Sequence, residues 1–227
     1  MKLLKRKNLW SIMLFVIIVG GVAVYYSIDF TKSNTLSQER LKALRVEYPI
    51  VYGTLPNAET IELSFSDVLK VSQTAVVAEV IEKLPEYTLD LVADETTPEG
   101  VLNEKQENLG FSFSKANFTP YKVRVNEVIA GDPVQEYVNI VNNSDLKEFE
   151  PELTPGTKIV VTLFKAPSHP EGNYGFTKYG TYYVVDDDYV LSAYESKEQG
   201  EMSFASKVMN GKPLKALKEE IRDFKNN

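Results

Sequence analysis

The sequence predicts a mainly β domain with flanking helices, carried behind a single N-terminal membrane-spanning helix. Three observations predict it. An uncharged run from Leu9 to Ile28 follows a basic cluster, Lys2, Lys5, Arg6 and Lys7. Between Ala75 and Ala193, short runs rich in β-branched and aromatic residues are separated by turns bearing Gly, Pro and Asp. Helical spacing of apolar residues returns clearly only at the C-terminus, with Leu214, Leu217, Ile221 and Phe224.

The first element is the anchor. About twenty apolar residues are enough to cross a bilayer core as a helix. The preceding lysines and arginine hold the N-terminus on the cytoplasmic side, which places everything after Asp29 outside the cell. Tyr25 and Tyr26 suit the outer interface and Trp10 the inner one. A cleaved signal peptide is the competing reading. Its apolar core is usually shorter and ends in small residues, whereas bulky tyrosines stand here. The chain contains no cysteine, so a lipid anchor on cysteine is excluded. The expected organisation is a cytoplasmic tail and anchor over 1–28, a stalk over 29–60, a β ectodomain over 61–200 and a packed C-terminal helix over 201–227.

Charge narrows the function classes. Residues 1–30 contribute +3 to a chain total of −7, which leaves −10 for the exterior part. An acidic ectodomain argues against nucleic-acid binding, which needs basic residues to displace counterions from phosphate. It argues equally against lying on anionic lipid. A cysteine-free, Lys-, Glu- and Asn-rich exterior of this length fits a Gram-positive bacterial surface protein better than a disulfide-stabilised eukaryotic one.

The elements follow in order. Thr35 to Arg45 reads as a short helix, stopped by Pro49. Ser66 reads as the cap of a helical turn through Val71. Ala75 to Ile81 is a β-branched strand. Tyr121, Val123 and Val125 alternate with Lys122, Arg124 and Asn126, one buried face and one wet face. Glu127 breaks that phase before Val128-Ile129, and a bulge there restores it. Tyr137 to Val141 is a third strand. Lys158 to Lys165 is apolar on both faces and is expected to be central. Gly180–Val185 and Tyr189–Ala193 flank Asp186-Asp187-Asp188 as a hairpin. The C-terminal stripe packs on the sheet.

Five short strands and a nearby helix suggest a small closed or half-closed five-stranded barrel of the OB type. The ordered signals are Ala75–Val80, then Tyr121–Asp132 ending in Gly-Asp, then Leu153–Val161 opening on a Pro-Gly turn. Over about residues 64–195 this pattern resembles a group of uncharacterised membrane-anchored or secreted bacterial proteins. Their sheet is similar to the OB-type barrel of netrin modules and tissue inhibitors of metalloproteinases. The resemblance implies a fold and is silent on function. Those inhibitors insert an N-terminal cysteine into a metal site, and this chain has neither the cysteine nor a free N-terminus.

No motif specifies a reaction. His169 is the only histidine, so His-pair zinc motifs are excluded and any Ser-His-acid triad would depend on it alone. It is read as an exposed loop residue. Asp186, Asp187 and Asp188 are weak candidates for Ca²⁺ ligands, because the alternating loop of a calcium site is absent. A tight hairpin tip is the simpler reading. No cofactor motif is present. Gly172, Gly175 and Gly180 interleave with Tyr174, Phe176 and Tyr179, the candidate aromatic anchors of a binding surface. Glu86 to Phe118 is too long for a plain connection between two strands and is read as a hairpin extension with a flexible acidic tip. The two segments together are the expected recognition surface.

Three function classes fit the sequence. One is a membrane-tethered, extracytoplasmic binding module for a protein or cell-wall partner. Another is a carboxylate-dependent enzyme acting on wall or peptide substrates, which needs two acids facing each other across a cleft. A structural or regulatory subunit pairing through Leu9–Ile28 is a third class.

Overall fold

The computed structural model describes residues 35–52, 62–90, 96–109, 115–146, 148–165, 169–195 and 209–226. All of these residues except Thr35 and Leu36 belong to one compact unit, Ser37–Asn227. The expected anchor, Leu9–Ile28, lies outside the described residues. Among those described, no helix is long and apolar enough to cross a membrane.

The elements in chain order are α1 (Gln38–Glu47), α2 (Phe65–Val71), β1 (Thr74–Lys83), β2 (Tyr87–Asp90), α3 (Pro98–Asn108), β3 (Lys115–Gly131), β4 (Tyr137–Asn143), β5 (Lys158–Lys165), β6 (Asn173–Gly175), β7 (Thr181–Val185), β8 (Tyr189–Ser192) and α4 (Leu214–Asn226). A 3₁₀ turn, Lys178–Gly180, leads into β7. The architecture is mainly β with flanking helices.

All eight strands form one sheet in the order β1-β3-β4-β6-β5-β7-β8, with β2 added on β3. β1 also pairs with β5, so β1, β3, β4, β6 and β5 close into a ring. Every pairing is antiparallel except β4–β6, which is parallel. β5 is the central strand, as its apolar run predicts. One edge pairs with β1 and the other is shared by β7 and β6.

The phase break in β3 is resolved by two bulges. Asn126 and Ile129 have no partner in the β1 register, which jumps from Val125 to Glu127 and from Val128 to Ala130. An unpaired residue turns the following side chains to the other face. Ile129 is thereby buried and Val128 exposed. Between the bulges, Glu127 accepts hydrogen bonds from Lys218 (2.6 Å) and Arg222 (2.8 Å) of α4. The Gly-Asp that ends β3 has a local cause. Gly131 sits at φ +96°, and a Cβ there would lie 2.1 Å from the Gln73 carbonyl oxygen. The same carbonyl accepts the Asp132 N–H at 3.1 Å.

One apolar cluster joins α2, the β7–β8 hairpin and α4. Leu217 and Ile221 are fully buried against it, and Phe65 meets Tyr182 edge-on at 5.2 Å. The C-terminal stripe is therefore a packing face, as read from its spacing.

Three local readings are corrected. The cap of α2 is Ser64, not Ser66: its Oγ accepts the Asp67 N–H at 3.1 Å and donates to the Asp67 carboxylate at 2.5 Å. α1 starts at Gln38, because Ser37 caps it by accepting the Arg40 N–H. The expected stalk is also partly docked. Arg45 donates to the Ser192 carbonyl (2.9 Å), Glu195 (3.0 Å) and Asn210 (3.0 Å), and the Val51 N–H reaches the Ala193 carbonyl (2.8 Å). These bonds hold residues 38–51 on the β8 side of the sheet.

Candidate functional site

The long connection after β1, expected to be a hairpin extension, pairs as one at its described ends. β2 pairs with the first four residues of β3, from Tyr87 opposite Phe118 to Asp90 opposite Lys115. α3 lies beyond it, a helix that the Glu-, Gln- and Asn-rich sequence does not announce by apolar spacing. Phe111 and Phe113 lie outside the described residues.

The register then defines one outward row across three strands. Lys122 of β3 stands opposite Asn139 of β4, and Asn139 opposite Asn173 of β6. Two residues along, Arg124 faces Tyr137. The alternate residues Tyr121, Val123, Val138 and Ile140 are buried inside the ring. Tyr137 is 45% exposed, with the Lys122 ammonium 5.7 Å from its ring centre.

At the other end of this face, the hairpin meets the segment 169–175. Tyr87 stacks on Phe118 at 5.8 Å, and His169 packs edge-on against Phe118 at 4.4 Å. The Tyr87 hydroxyl is hydrogen-bonded to His169 Nδ1. Asn173 Nδ2 donates to the same hydroxyl at 3.2 Å, and Asn139 Nδ2 donates to Asn173 Oδ1 at 2.9 Å. Beside this chain of bonds lies an open depression of about 390 Å³, whose lining includes Lys165, His169, Glu171, Asn173 and Tyr174. Burial pushes the Tyr87 phenol up and the His169 imidazole down from their ordinary values.

The two segments expected to form a surface do meet, but not through the expected anchors. Tyr174 is half-buried and lines the depression. Phe176 and Tyr179 are 7% and 9% exposed. They pack inside the domain, and Tyr179 lies edge-on against Tyr194 at 4.6 Å with its phenol pushed up to about 12 by burial. His169, read as an exposed loop residue, is half-buried between the two segments.

The three aspartates close the β7–β8 hairpin. Asp186 and Asp187 have positive φ, +48° and +63°, which short polar side chains tolerate in the three-residue loop between Val185 and Tyr189. Asp186 is bound by Arg40 through two hydrogen bonds, 2.8 and 2.5 Å, and Asp187 by Lys158 at 3.0 Å. The Asp188 carbonyl accepts the Leu214 N–H at 2.6 Å. Among the described residues, no group of three or more His, Cys, Asp or Glu is arranged to hold a metal ion.

A second concavity, about 320 Å³, is acidic. Glu86, Glu148, Glu150 and Glu152 line it together with Lys83, Thr119, Asn142 and Ser144. Most of these carboxylates are engaged. Glu86 accepts from Thr119 at 2.9 Å, Glu152 pairs with Lys83 at 3.5 Å, and Glu150 accepts the Lys178 backbone N–H. The Lys178 side chain is 1% exposed, with its ammonium 3.8 Å from the centre of the Phe149 ring. Burial raises the Glu150 carboxyl to about 7, against the pull of the Lys178 N–H and ammonium.

This shift has a sign. Glu150 binds its proton more tightly folded, at about 7, than unfolded, at 4.5. Its contribution to stability is complete below 4.5 and is lost as the pH rises through 7. Glu150→Gln keeps the neutral form at every pH. The variant should match the wild type near pH 5 and gain on it by about 1 kcal/mol per pH unit towards pH 7, then level off. Urea titrations at pH 5, 6, 7 and 8 check this. A constant difference would show that Glu150 is not buried as described.

Comparison with protein-family models and with curated proteins found no match to this chain. The hydrogen-bonded chain Asn139–Asn173–Tyr87–His169 had no signal in the sequence, since its members lie on three strands and a loop.

Proposed function

We propose that this protein is a binding module, tethered through Leu9–Ile28 to the outer face of a Gram-positive-type cell membrane, whose ligand lies across β3, β4 and β6. The ring order β1-β3-β4-β6-β5, with its single parallel pairing, supports reading the domain as an OB-type barrel. Such barrels bind chains along the second and third ring strands, between the loops that follow the first and precede the last. Here those loops are the connections from β1 to β3 and from β5 to β6. The observation that carries the reading is their meeting through Tyr87, Phe118 and His169, over a face bearing Asn139, Asn173 and Tyr137.

The chemistry of that face selects among ligands. Side-chain amides and aromatic rings suit the hydroxyl, acetamido and peptide groups of cell-wall glycan and extended peptide. Lys122 and Arg124 are paired with Glu82 and Glu79, and with the net negative charge this speaks against nucleic acid. The acidic cleft supports the enzyme reading, because it gathers Glu86, Glu148 and Glu152 with Glu150, whose carboxyl burial raises to about 7.

Soluble peptidoglycan fragments, added to the purified full-length protein at pH 8, test both. A binding module should bind them without cleavage. Tyr137→Ala with Asn139→Ala should lose at least about tenfold in affinity, as expected when an aromatic anchor is removed. The melting temperature should stay within a few degrees. Cleavage of the fragments, abolished by Glu150→Gln, would make the acidic cleft the active site. No binding and no cleavage would leave wall glycan out of the partner class.

A further inference from the structure

We infer that the contact between His169 and Tyr87 is a proton-sensitive latch, joining the two walls of the proposed binding face and releasing when His169 gains a proton. This rests on the reading of that face as the ligand surface, and it adds how the surface is regulated.

The hydrogen-bond directions make the latch depend on a neutral ring. Asn139 Nδ2 donates to Asn173 Oδ1, which leaves Asn173 Nδ2 to donate to the Tyr87 oxygen. A phenol has one hydrogen, and the Tyr87 hydroxyl shares its other contact with His169 Nδ1. With the oxygen already accepting from Asn173, the arrangement that uses the phenolic hydrogen has the hydroxyl donating to Nδ1, which places the ring proton on Nε2. An imidazolium has donors at both nitrogens and no acceptor. Protonation would set two donors against the Tyr87 oxygen and leave the phenolic hydrogen without its acceptor, in a half-buried place.

The surroundings do not compensate. β2 contributes Tyr87, β3 contributes the uncharged Phe118, and β6 contributes Asn173 and Tyr174. β5 contributes Lys165, a like charge lining the same depression, and the loop itself contributes Glu171. Among the described residues, no carboxylate forms an ion pair with the ring. Burial favours the neutral form of the ring.

The mechanical side follows from topology. β2 is an appendage that pairs only with β3, over four residues. Through its hydroxyl, Tyr87 ties β2 to the 169–175 segment by hydrogen bonds to both His169 and Asn173. A second donor facing the Tyr87 oxygen weakens this pair of bonds and loosens the hairpin base from the opposite wall, while leaving the ring of strands intact. The linkage sign is that of a depressed histidine. The latch is complete above pH 6.5 and weakens as the pH falls below it, towards the lowered value.

Because His169 is the only histidine, its ring nitrogens can be followed alone in the ¹⁵N-histidine-labelled full-length protein. At pH 8 the spectrum should show the Nε2–H tautomer, and the ring should titrate below 6.5. Tyr87→Phe should return the titration towards 6.5. Hydrogen exchange corrected for intrinsic rates supplies the mechanical readout. Protection of Tyr87–Asp90 should fall about tenfold per pH unit below 6.5, down to the lowered pKa. In His169→Gln, whose amide oxygen still accepts, protection should not follow pH. Should that variant fail to fold, Tyr87→Phe should abolish the same response. An Nδ1–H ring at pH 8, or β2 protection that ignores the titration of His169, would overturn the latch. Neither readout involves a ligand, so failure here is distinct from failure of the binding reading, which is tested at pH 8 with the latch closed.

Discussion

Val161→Asp unfolds this domain. Val161 is 0% exposed and lies mid-way along β5, paired with Val76 of β1 on one side and Thr181 of β7 on the other. The side chain is wholly buried, so an aspartate there has no route to water. Ionised, it costs roughly 3–5 kcal/mol for want of a partner. Protonated, it still needs a hydrogen-bonding group the apolar surroundings do not supply. Loss of the valine adds roughly 2 kcal/mol of burial. Domains of this size are stable by roughly 5–15 kcal/mol. Circular dichroism should show loss of the near-ultraviolet signal at 25 °C, and urea titration should show no cooperative transition. A well-folded variant would mean that β5 is not the centre of the sheet.

Leu217→Ala combined with Ile221→Ala should detach α4. Both side chains are fully buried in the cluster that α4 shares with α2 and the β7–β8 hairpin. Each truncation costs roughly 2–5 kcal/mol through lost burial and the cavity left behind. The residues are one turn apart, so the losses will not simply add. The ion pairs of Lys218 and Arg222 with Glu127 remain in the variant. Half-exposed pairs of this kind are worth little by themselves, so they should not rescue it. The expected result is a fall in melting temperature of more than about 10 °C. Exchange should increase first in α4 and around the β3 bulges. A fall of only a degree or two would show that α4 lies on the sheet without being part of its core.

How much was legible depended on where the causes lie. The β5 run, the alternation in β3 and the α4 stripe were readable because each is a local period set against one buried face. The bulge was readable because a broken phase must be repaired near the break, although two unpaired residues do the work. The cap of α2 was displaced by two residues, because Ser64 and Ser66 offer the same oxygen and only the position of Asp67 decides between them. α3 lacks an apolar stripe. β6 is three residues long and has no period at all. Phe176 and Tyr179 were read as surface anchors because an aromatic, Gly-bearing loop looks alike inside and outside. The 3₁₀ turn carries Tyr179 into the domain and the residue after β6, Phe176, is buried as well, and neither placement is visible in composition.

By itself, the sequence determined the class of the domain, its central strand, the packing face of its last helix and the acidic character that argues against nucleic acid. These follow from period, apolarity and charge, which are properties of neighbouring residues. Only the tertiary structure decided that the strands close into a ring, that residues 38–51 dock on the sheet, and that Tyr87, Phe118, His169 and Asn173 meet at the mouth of one face. Those residues span 86 positions of chain between Tyr87 and Asn173. They come together because β1 pairs with both β3 and β5, and because β6 slots in parallel beside β4. A contact made through long-range pairing leaves no mark on local sequence, and the candidate site is built from such contacts.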